Sequence, residues 1–191
     1  MFNPPKIGEW QWMDESVGLI FPWLTLPALE VIQSWDLTDK NVFEYGGGHS
    51  TKWWAAKALH VTTIERNKEY VTWIMEDLHR LNLPGVRMIE SDACEGIESG
   101  RDWYVNAVDL LPMLRYNIVV VDDIFRYECI VKALTLPRPV ILIVDNWQQD
   151  FVFICQAAED LMKEYDGHFY TQPDHTNHEG RPWTTAIFYL K

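Results

Sequence analysis

Short apolar segments alternate with amphipathic segments along the chain from residue 41 onward. Runs of β-branched and apolar residues predict strands, and apolar residues that recur every three or four positions predict helices. The predicted strands cover residues 42–45, 61–64, 86–89, 117–121, 140–144, 168–171 and 184–190. The predicted helices cover residues 27–35, 50–59, 67–81, 103–114, 127–134 and 151–165. Strands that alternate with helices are typical of a mostly parallel sheet with helices packed on it.

The continuously apolar segments at 117–121 and 140–144 are typical of central parallel strands that are covered on both faces. The last two strands are joined by a polar loop and predict a closing antiparallel hairpin. Gly167 is placed to end the long helix that precedes this hairpin. The predicted fold class is therefore an α/β protein, a Rossmann-like α/β/α sandwich whose mostly parallel seven-stranded sheet has an antiparallel C-terminal strand.

No repeat, low-complexity tract or flexible linker divides the chain. We therefore expect one domain over residues 1–191, with a Rossmann-like core at 41–191 and a helical N-terminal extension or lid at 1–40. Residues 1–26 either cover a ligand crevice or pack on the sheet edge, and the sequence leaves both open. The ten tryptophans, several of them in the first 54 residues, could line a pocket, but we expect most of them to fill the core.

Composition narrows the classes of partner. The net charge is −12 and no basic stripe occurs, so nucleic acid and anionic membrane surfaces are poor partners and a small-molecule substrate is favoured. No run of about 18 apolar residues is present to span a bilayer. The three cysteines form no C-x-x-C pair, which favours a reducing, cytoplasmic location. The oligomeric state is left open.

Polar and mostly acidic residues follow five of the predicted strands. In an open α/β sheet, ligands bind outside the carboxyl ends of the strands, where these side chains converge. Acids placed together repel one another, and a metal or a ligand with cationic or hydroxyl groups would relieve that repulsion. The residues concerned are Glu44, Glu65, Asp92, Asp122, Asp123, Asp145 and Asn146.

A glycine-rich loop follows the first strand of the core. Gly46, Gly47 and Gly48 allow close approach of a ligand to the backbone, and Glu65, about 20 residues after Glu44, can accept hydrogen bonds from ribose hydroxyls. This pattern predicts an adenosine-type ligand and by itself fits NAD and S-adenosylmethionine equally. Thr51 stands where a dinucleotide fingerprint has its third glycine, and Glu44 suits a positively charged amino acid group better than a pyrophosphate.

Residues 44–51 resemble the motif E-x-G-x-G-x-S-T of the class I S-adenosylmethionine-dependent methyltransferases. Residues 61–65, 91–93, 116–126 and 141–146 resemble the later motifs of that family, in the same order. The resemblance implies S-adenosylmethionine as the cofactor and methyl transfer to a small molecule, at oxygen. It implies that the methionine part is contacted by Glu44, Gly46, Gly48 and Ser50, the ribose by Glu65, the adenine by Asp92 and Ala93, and the transferring methyl by the catalytic candidate Asp122.

A narrower resemblance concerns a metal. The catechol-type O-methyltransferases hold Mg²⁺ with an Asp after strand four and an Asp-Asn pair after strand five, which here implies Asp122, Asp145 and Asn146 as ligands. Those enzymes carry a Lys three residues after the first Asp, where this chain has Phe125. Residues 122–129 also resemble the D-G-R-x-R-x-x-C pattern of other methyltransferases, with Asp123 at the glycine position. Metal dependence is therefore left open.

Candidates for a general base are His49, His175 and His178. Two other functions remain as alternatives. An NAD(P)-dependent oxidoreductase would share the predicted layout, although the chain has no Tyr-x-x-x-Lys pair to donate a proton. A non-catalytic adenosine-ligand-binding protein would also keep the fold, although Glu44, Glu65 and Asp122 are all present.

Overall fold

A seven-stranded sheet forms the centre of the protein. The structure is a computed structural model, and it describes residues 13–93, 100–110, 115–147, 158–173 and 182–191. The strands are β1 Met13–Asp14, β2 Leu19–Ile20, β3 Asn41–Tyr45, β4 His60–Glu65, β5 Val86–Glu90, β6 Ile118–Val121, β7 Val140–Val144, β8 Asp166–Gln172 and β9 Trp183–Leu190. The helices are α1 Leu26–Gln33, α2 His49–Lys57, α3 Lys68–Arg80, α4 Arg101–Asn106, followed by a 3₁₀ turn at Ala107–Leu110, and α5 Arg126–Ala133.

The strand order in the large sheet is β5-β4-β3-β6-β7-β9-β8. Pairs from β5 to β7 are parallel, whereas β9 runs antiparallel to both β7 and β8. The predicted fold class is confirmed, including the seven strands and the antiparallel C-terminal strand. The order reverses at β3, so that β4 and β6 flank it and their carboxyl ends border one crevice.

The sheet is covered on both faces, as the apolar strands predict. In β6 every residue is buried: Val119 and Val121 belong to one hydrophobic cluster, and Ile118 and Val120 to another. The first cluster includes residues of α4 and α5, and the second includes residues of α1 and α2. The alternation of side chains along a strand thus distributes β6 between two cores.

Local sequence signals fix where the helices begin. The Asn67 side chain accepts hydrogen bonds from the backbone N–H groups of Glu69 and Tyr70 at the start of α3, as its predicted capping role requires. A proline lies in the first turn of α1, where its missing N–H has no partner to lose. Within the described ranges, no helix has both the length and the apolar character that crossing a bilayer requires.

The structure corrects the prediction for Gly167. This residue lies inside β8 rather than at a helix end, and residues 158–162 are the helical part of the described chain before it. A Cβ at Gly167 would lie 2.4 Å from two ring carbons of Phe188 on the paired strand β9. The glycine therefore makes room for an aromatic ring and does not end a helix. The predicted helix at 103–114 divides, within its described residues 103–110, into α4 and the 3₁₀ turn, and residues 111–114 lie outside the described ranges.

The N-terminal segment packs on α2. Strands β1 and β2 form a small hairpin in which the buried Asp14 carboxylate accepts a hydrogen bond from Trp53 Nε1 at 2.9 Å. Lys57 Nζ lies 3.0 Å from the same carboxylate. Residues 13–20 are thus held against a helix, whereas Trp23, further along, is 55% exposed. Trp53, Trp54 and Trp147 are buried in the core, but the other described tryptophans are partly or largely exposed, so the expectation that most of them fill the core is wrong for the described residues.

Candidate functional site

The turn between β3 and α2 requires glycine because other strands crowd it. At Gly46, which has φ +88, a Cβ would lie 2.7 Å from the Asp122 carbonyl oxygen and 2.8 Å from Asp123 Cβ. At Gly48 a Cβ would meet nothing within 4 Å, so this part of the backbone borders open space. The loop therefore packs tightly against the end of β6 at one glycine and leaves room for a ligand at another.

Glu44 lies beneath this loop and stabilises it. Its Oε2 atom accepts hydrogen bonds from the hydroxyls of Thr51 at 2.6 Å and Thr63 at 2.8 Å, and Thr51 Oγ1 in turn accepts the Gly48 N–H at 3.0 Å. Burial raises the pKa of Glu44 to about 7, although hydrogen bonds from Ser50, Thr51 and Thr63 oppose the rise. Thr51, in the position of the third fingerprint glycine, therefore ties the loop to the buried acid.

Glu65 is the last residue of β4, and it contacts the glycine loop from the side of that strand. Its Oε2 atom accepts the Gly47 N–H at 2.8 Å, and its Oε1 atom accepts the Asn67 N–H at 2.6 Å. Burial raises the pKa of Glu65, while these two backbone donors lower it. A carboxylate oxygen can accept more than one hydrogen bond, so both oxygens retain capacity for the two hydroxyls of a ribose.

A cavity of about 460 Å³ opens beside the glycine loop. Its wall includes Gly46 to Ser50, Glu65 and the acidic pair that follows β6, and its other residues include three large aromatic rings. His49 and Tyr70 both pack edge-on against Trp73, with ring centroids 5.0 and 5.8 Å apart. Burial, with a contribution from Lys52, lowers the pKa of His49. The cavity has the size and mixed lining of a small-molecule or cofactor site.

The ends of β6 and β7 bring together Asp122, Asp145 and Asn146, as their sequence positions predict. Arg126 lies among them: Nε donates to the Asp145 main-chain oxygen at 3.2 Å and Nη2 to Asn146 Oδ1 at 3.1 Å. Nη2 is also 3.5 Å from Asp122 Oδ1. Desolvation raises the pKa of Asp122 to about 7, and Asp123 adds to the rise while Arg126 opposes it.

The Asp145 carboxylate faces β9. Trp183 Nε1 donates to both of its oxygens, each at 3.1 Å, and the Thr185 hydroxyl donates to Oδ1 at 2.6 Å. Burial raises the pKa of Asp145 well above its usual range, and the nearby charge of Asp122 adds to the rise. The most buried acid of the group is therefore held by donors of the closing hairpin.

These residues do not fit the predicted magnesium site. Mg²⁺ needs oxygens free to point at one ion, and it keeps several waters around it. Here Asn146 Oδ1 accepts from Arg126, and the Asp145 oxygens accept from Trp183 and Thr185. In the part of the chain that the structure describes, no group of three or more His, Cys, Asp or Glu side chains is arranged to hold a metal. The proposed metal role of Asp122, Asp145 and Asn146 is thus unsupported.

An ion pair spans the crevice above β3. Arg66 follows β4 and Asp123 follows β6, and Arg66 Nε donates to the two Asp123 oxygens at 3.1 and 3.2 Å. The Tyr104 hydroxyl of α4 also donates to Asp123, at 3.0 Å. Because β3 lies between β4 and β6, the pair passes over the turn at Gly46. Both charged residues line the cavity.

Some of the site residues predicted from the sequence line the cavity, and others lie outside it. Gly46, Gly48, Ser50, Glu65 and Asp122 line it. Glu44 lies behind the loop, and Asp145 and Asn146 lie beside Arg126, outside the lining. Asp92 is exposed and Ala93 is buried at the end of β5, also outside the lining. His175 and His178 fall outside the described residues.

Sequence reasoning gave no role to two arginines of the site. Arg66 pairs across the cavity, and Arg126 bridges the strand ends. A usable signal existed, because Arg66 follows the strand-end acid Glu65 directly and Arg126 follows Asp122 by four residues, in a chain with few basic residues. Trp23, one of the N-terminal tryptophans that could line a pocket, does line the cavity, but the sequence does not single it out from the others.

Several solved structures with the same fold are named as methyltransferases. A Staphylococcus aureus protein assigned as a caffeoyl-CoA O-methyltransferase aligns with TM-score 0.64 and 21% identity over 90% of this chain and 86% of its own. A Streptococcus mutans protein assigned as a methyltransferase, solved in complex with SAH (S-adenosylhomocysteine), aligns with TM-score 0.61 and 13% identity over 86% and 96%. An rRNA methylase from Streptococcus thermophilus aligns with TM-score 0.57 and 14% identity over 82% and 90%.

No family model matches the sequence, and no curated protein matches it. At these identities the structural likeness establishes the fold, which is that of the class I S-adenosylmethionine-dependent methyltransferases. The acceptors named for these structures differ from one another, so the shared fold leaves the acceptor of this chain open.

Proposed function

We propose that this chain is an S-adenosylmethionine-dependent methyltransferase that acts on the oxygen of a small molecule. The observation that carries the proposal is the joint placement of Glu65, the open loop at Gly48 and Asp122 around one cavity. The S. mutans protein of the same fold binds SAH, which supports the same class of cofactor here. The net charge of −12 favours a small molecule over a nucleic acid as the acceptor.

The residues present fit this cofactor. Glu65 would hold the ribose with the lone pairs that its two backbone donors leave available. Gly48, with open space beside its backbone, and Ser50 would lie along the methionine part, and Glu44 would keep the loop in shape from below. The roles of Asp92 and Ala93 at the adenine remain proposals from the family resemblance. The cofactor supplies a methyl group on a sulfonium, which is a good leaving group.

The protein itself has to align an acceptor oxygen and take up its proton. Asp122 lies on the cavity wall at the end of β6, and we propose that its carboxylate accepts that proton. Asp122 is held in place by Arg126 on one side, and its main-chain oxygen packs on Gly46 on the other. The aromatic side chains of Trp23, Tyr70 and Trp73 would exclude water from the acceptor.

The alternative functions meet specific obstacles. An NAD(P)-dependent oxidoreductase needs a small residue at position 51 for close packing of helix on strand, whereas Thr51 is fully buried and hydrogen-bonded there. A non-catalytic adenosine-ligand-binding protein has no need for an acid on the cavity wall beside the ligand. The oxidoreductase predicts a different ligand, and the non-catalytic protein predicts ligand binding without methyl transfer.

The test measures SAH and NADH binding by calorimetry for the wild type, Glu65→Gln and Glu90→Gln. Glu90 is the matched control, because it pairs with Glu65 in the sheet register but is exposed. We expect SAH to bind, NADH not to bind, and Glu65→Gln alone to weaken SAH by roughly 10- to 100-fold, since charge-assisted hydrogen bonds contribute about 1.5–3 kcal/mol. NADH binding, or equal SAH affinity in all three proteins, would contradict the proposal.

The acceptor class needs a separate measurement. Transfer of a labelled methyl group is followed with phenols, hydroxy acids, amines and total RNA as acceptors. We expect label in hydroxyl-bearing small molecules. Labelled RNA or labelled amines would contradict the oxygen and small-molecule parts of the proposal. SAH binding without transfer to any class would favour the non-catalytic alternative.

A further inference from the structure

Arg126 occupies the centre of the residue group that the sequence nominates for a metal. It begins α5, and its guanidinium contacts one oxygen from each of the three nominated residues. These are the Asp145 main-chain oxygen at 3.2 Å, Asn146 Oδ1 at 3.1 Å and Asp122 Oδ1 at 3.5 Å. One fixed positive charge therefore already stands among the oxygens that a divalent ion would need.

The second carboxylate of the group is not available to a cation. Three contacts satisfy the Asp145 oxygens: two from Trp183 Nε1 and one from the Thr185 hydroxyl. Both donors belong to β9 and lie at the start of that strand. Asp145 is 2% exposed, so turning its carboxylate toward a metal would leave the buried Thr185 hydroxyl and the half-buried Trp183 N–H without their partner.

The backbone conformation at two residues close to the Arg126 side chain supports the same arrangement. Phe125, which precedes it, and Asn146, whose side chain it holds, both have φ 55. A left-handed conformation is unfavourable for most residues with a side chain, although asparagine tolerates it, so at Phe125 it persists because the surrounding structure imposes it. Two neighbouring strand ends thus adopt it at the positions that orient the guanidinium and its amide partner.

We infer that the Arg126 guanidinium is the resident cation of this site, and that it positions Asp122 beside the cavity without a divalent metal. The inference rests on the proposed function for the use of that cavity in methyl transfer. It also defines the acceptor class more closely. A metal favours acceptors with two adjacent oxygens, because both can bind the ion. With a guanidinium in that position, a single hydroxyl is sufficient, and a catechol has no advantage over a monohydroxy phenol.

The first test measures Mn²⁺ binding by electron paramagnetic resonance, a readout that does not depend on activity. The variants are Arg126→Met, Arg126→Lys and the double variant Arg126→Met with Asp122→Asn. Arg87→Met is the matched control, because Arg87 is an exposed arginine on β5. Circular dichroism of each protein checks that it is folded.

We expect no Mn²⁺ binding by the wild type, Arg126→Lys or Arg87→Met at roughly millimolar Mn²⁺. Arg126→Met leaves the three oxygens that the guanidinium contacts around an uncharged side chain, without any turn of the Asp145 carboxylate. It is expected to gain Mn²⁺ affinity by at least about tenfold, and Asp122→Asn removes the gain. Wild-type binding as tight as that of Arg126→Met overturns the inference. So does the absence of any gain in folded Arg126→Met.

A second readout separates this inference from the proposed function. SAH affinity is measured on the same samples, and methyl transfer is compared between a catechol and the corresponding monohydroxy phenol, with and without EDTA. SAH binding together with wild-type Mn²⁺ binding would refute the role of Arg126 and leave the proposed function standing. The expected Mn²⁺ pattern without SAH binding would refute the function alone. A chelator-sensitive preference for the catechol of tenfold or more counts against the inference.

Discussion

Glu44 is a carboxylic acid buried among hydroxyl groups, and the energetic consequence of its burial depends on pH. Its pKa rises from 4.5 to about 7 in the folded chain, with desolvation as the main cause. Below pH 4.5 the folded and unfolded states are both protonated. As the pH rises to about 7, the unfolded state loses its proton more readily, so the free energy of unfolding falls; above about 7 the contribution is constant.

We expect Glu44→Gln to remove this part of the pH dependence, because the amide stays neutral. Between pH 5 and pH 8 the wild type is expected to lose more free energy of unfolding than the variant, by about 3 kcal/mol at most. Urea unfolding at several pH values measures it, with the exposed Glu90→Gln as a control. Parallel pH curves for wild type and Glu44→Gln would show that Glu44 is ionised when folded.

The position of Glu44 in the sequence identified it as a candidate site residue, but it did not predict which groups contact it. The hydroxyls that bind it come from α2 and from the neighbouring strand β4, and they converge only when the sheet has formed. The same holds for Arg126. Its distance in sequence from Asp122 predicts proximity on a helix, whereas its bonds to Asp145 and Asn146 require that β6 and β7 be adjacent.

At the scale of elements, the hairpin of β8 and β9 closes the sheet and carries the donors to Asp145. The glycine signal at its start was misinterpreted, because a glycine after an amphipathic segment is equally consistent with a helix end and with a strand position under a ring. Only the register of Gly167 opposite Phe188 distinguishes the two. The N-terminal hairpin could not be predicted for a related reason: strands of two residues are too short to show a period.

We expect Gly167→Ala to destabilise the protein by about 1–3 kcal/mol, the usual cost of overpacking. Replacing a strand glycine by alanine ordinarily raises stability, but here the new methyl group would lie 2.4 Å from the buried Phe188 ring. Chemical denaturation measures the effect. The combination with Phe188→Leu provides the check, because a smaller side chain relieves the contact and the two changes should be less than additive. A stabilising Gly167→Ala would contradict the packing described here.

At the scale of the whole molecule, the sequence predicted the layers, the strands and the edge of the sheet where the cavity lies. These follow from periodicity and from the rule that parallel strands end on one side. It did not predict whether the converging acids would bind a metal. That depends on which neutral donors and which cationic side chain are hydrogen-bonded to these acids in the folded chain. Trp183 and Thr185, remote in sequence, and Arg126 decide the matter.

The overall charge also predicts a difference between the two ligands that we propose for the cavity. The chain carries −12, and Glu65, Asp122 and Asp123 line the cavity. S-adenosylmethionine carries one more positive charge than SAH. We expect an increase from low to roughly 0.5 M salt to weaken S-adenosylmethionine binding by about two- to fivefold more than SAH binding, because screening acts on the additional charge. Parallel calorimetric titrations of the two ligands measure the salt dependence of each affinity. Equal salt dependence would show that the acidic residues of the cavity do not attract the sulfonium.

The left-handed backbone at Phe125 and Asn146 has a consequence for how such a protein evolves. At Phe125 this conformation costs the folded state roughly 1 kcal/mol, which glycine would recover, and at Asn146 the cost is smaller because asparagine adopts it more readily. Selection for stability alone would therefore favour glycine at both positions, whereas selection for the arrangement that they hold would oppose it. A descendant released from that selection is expected to acquire glycine at these two positions early and to gain thermal tolerance as its site decays.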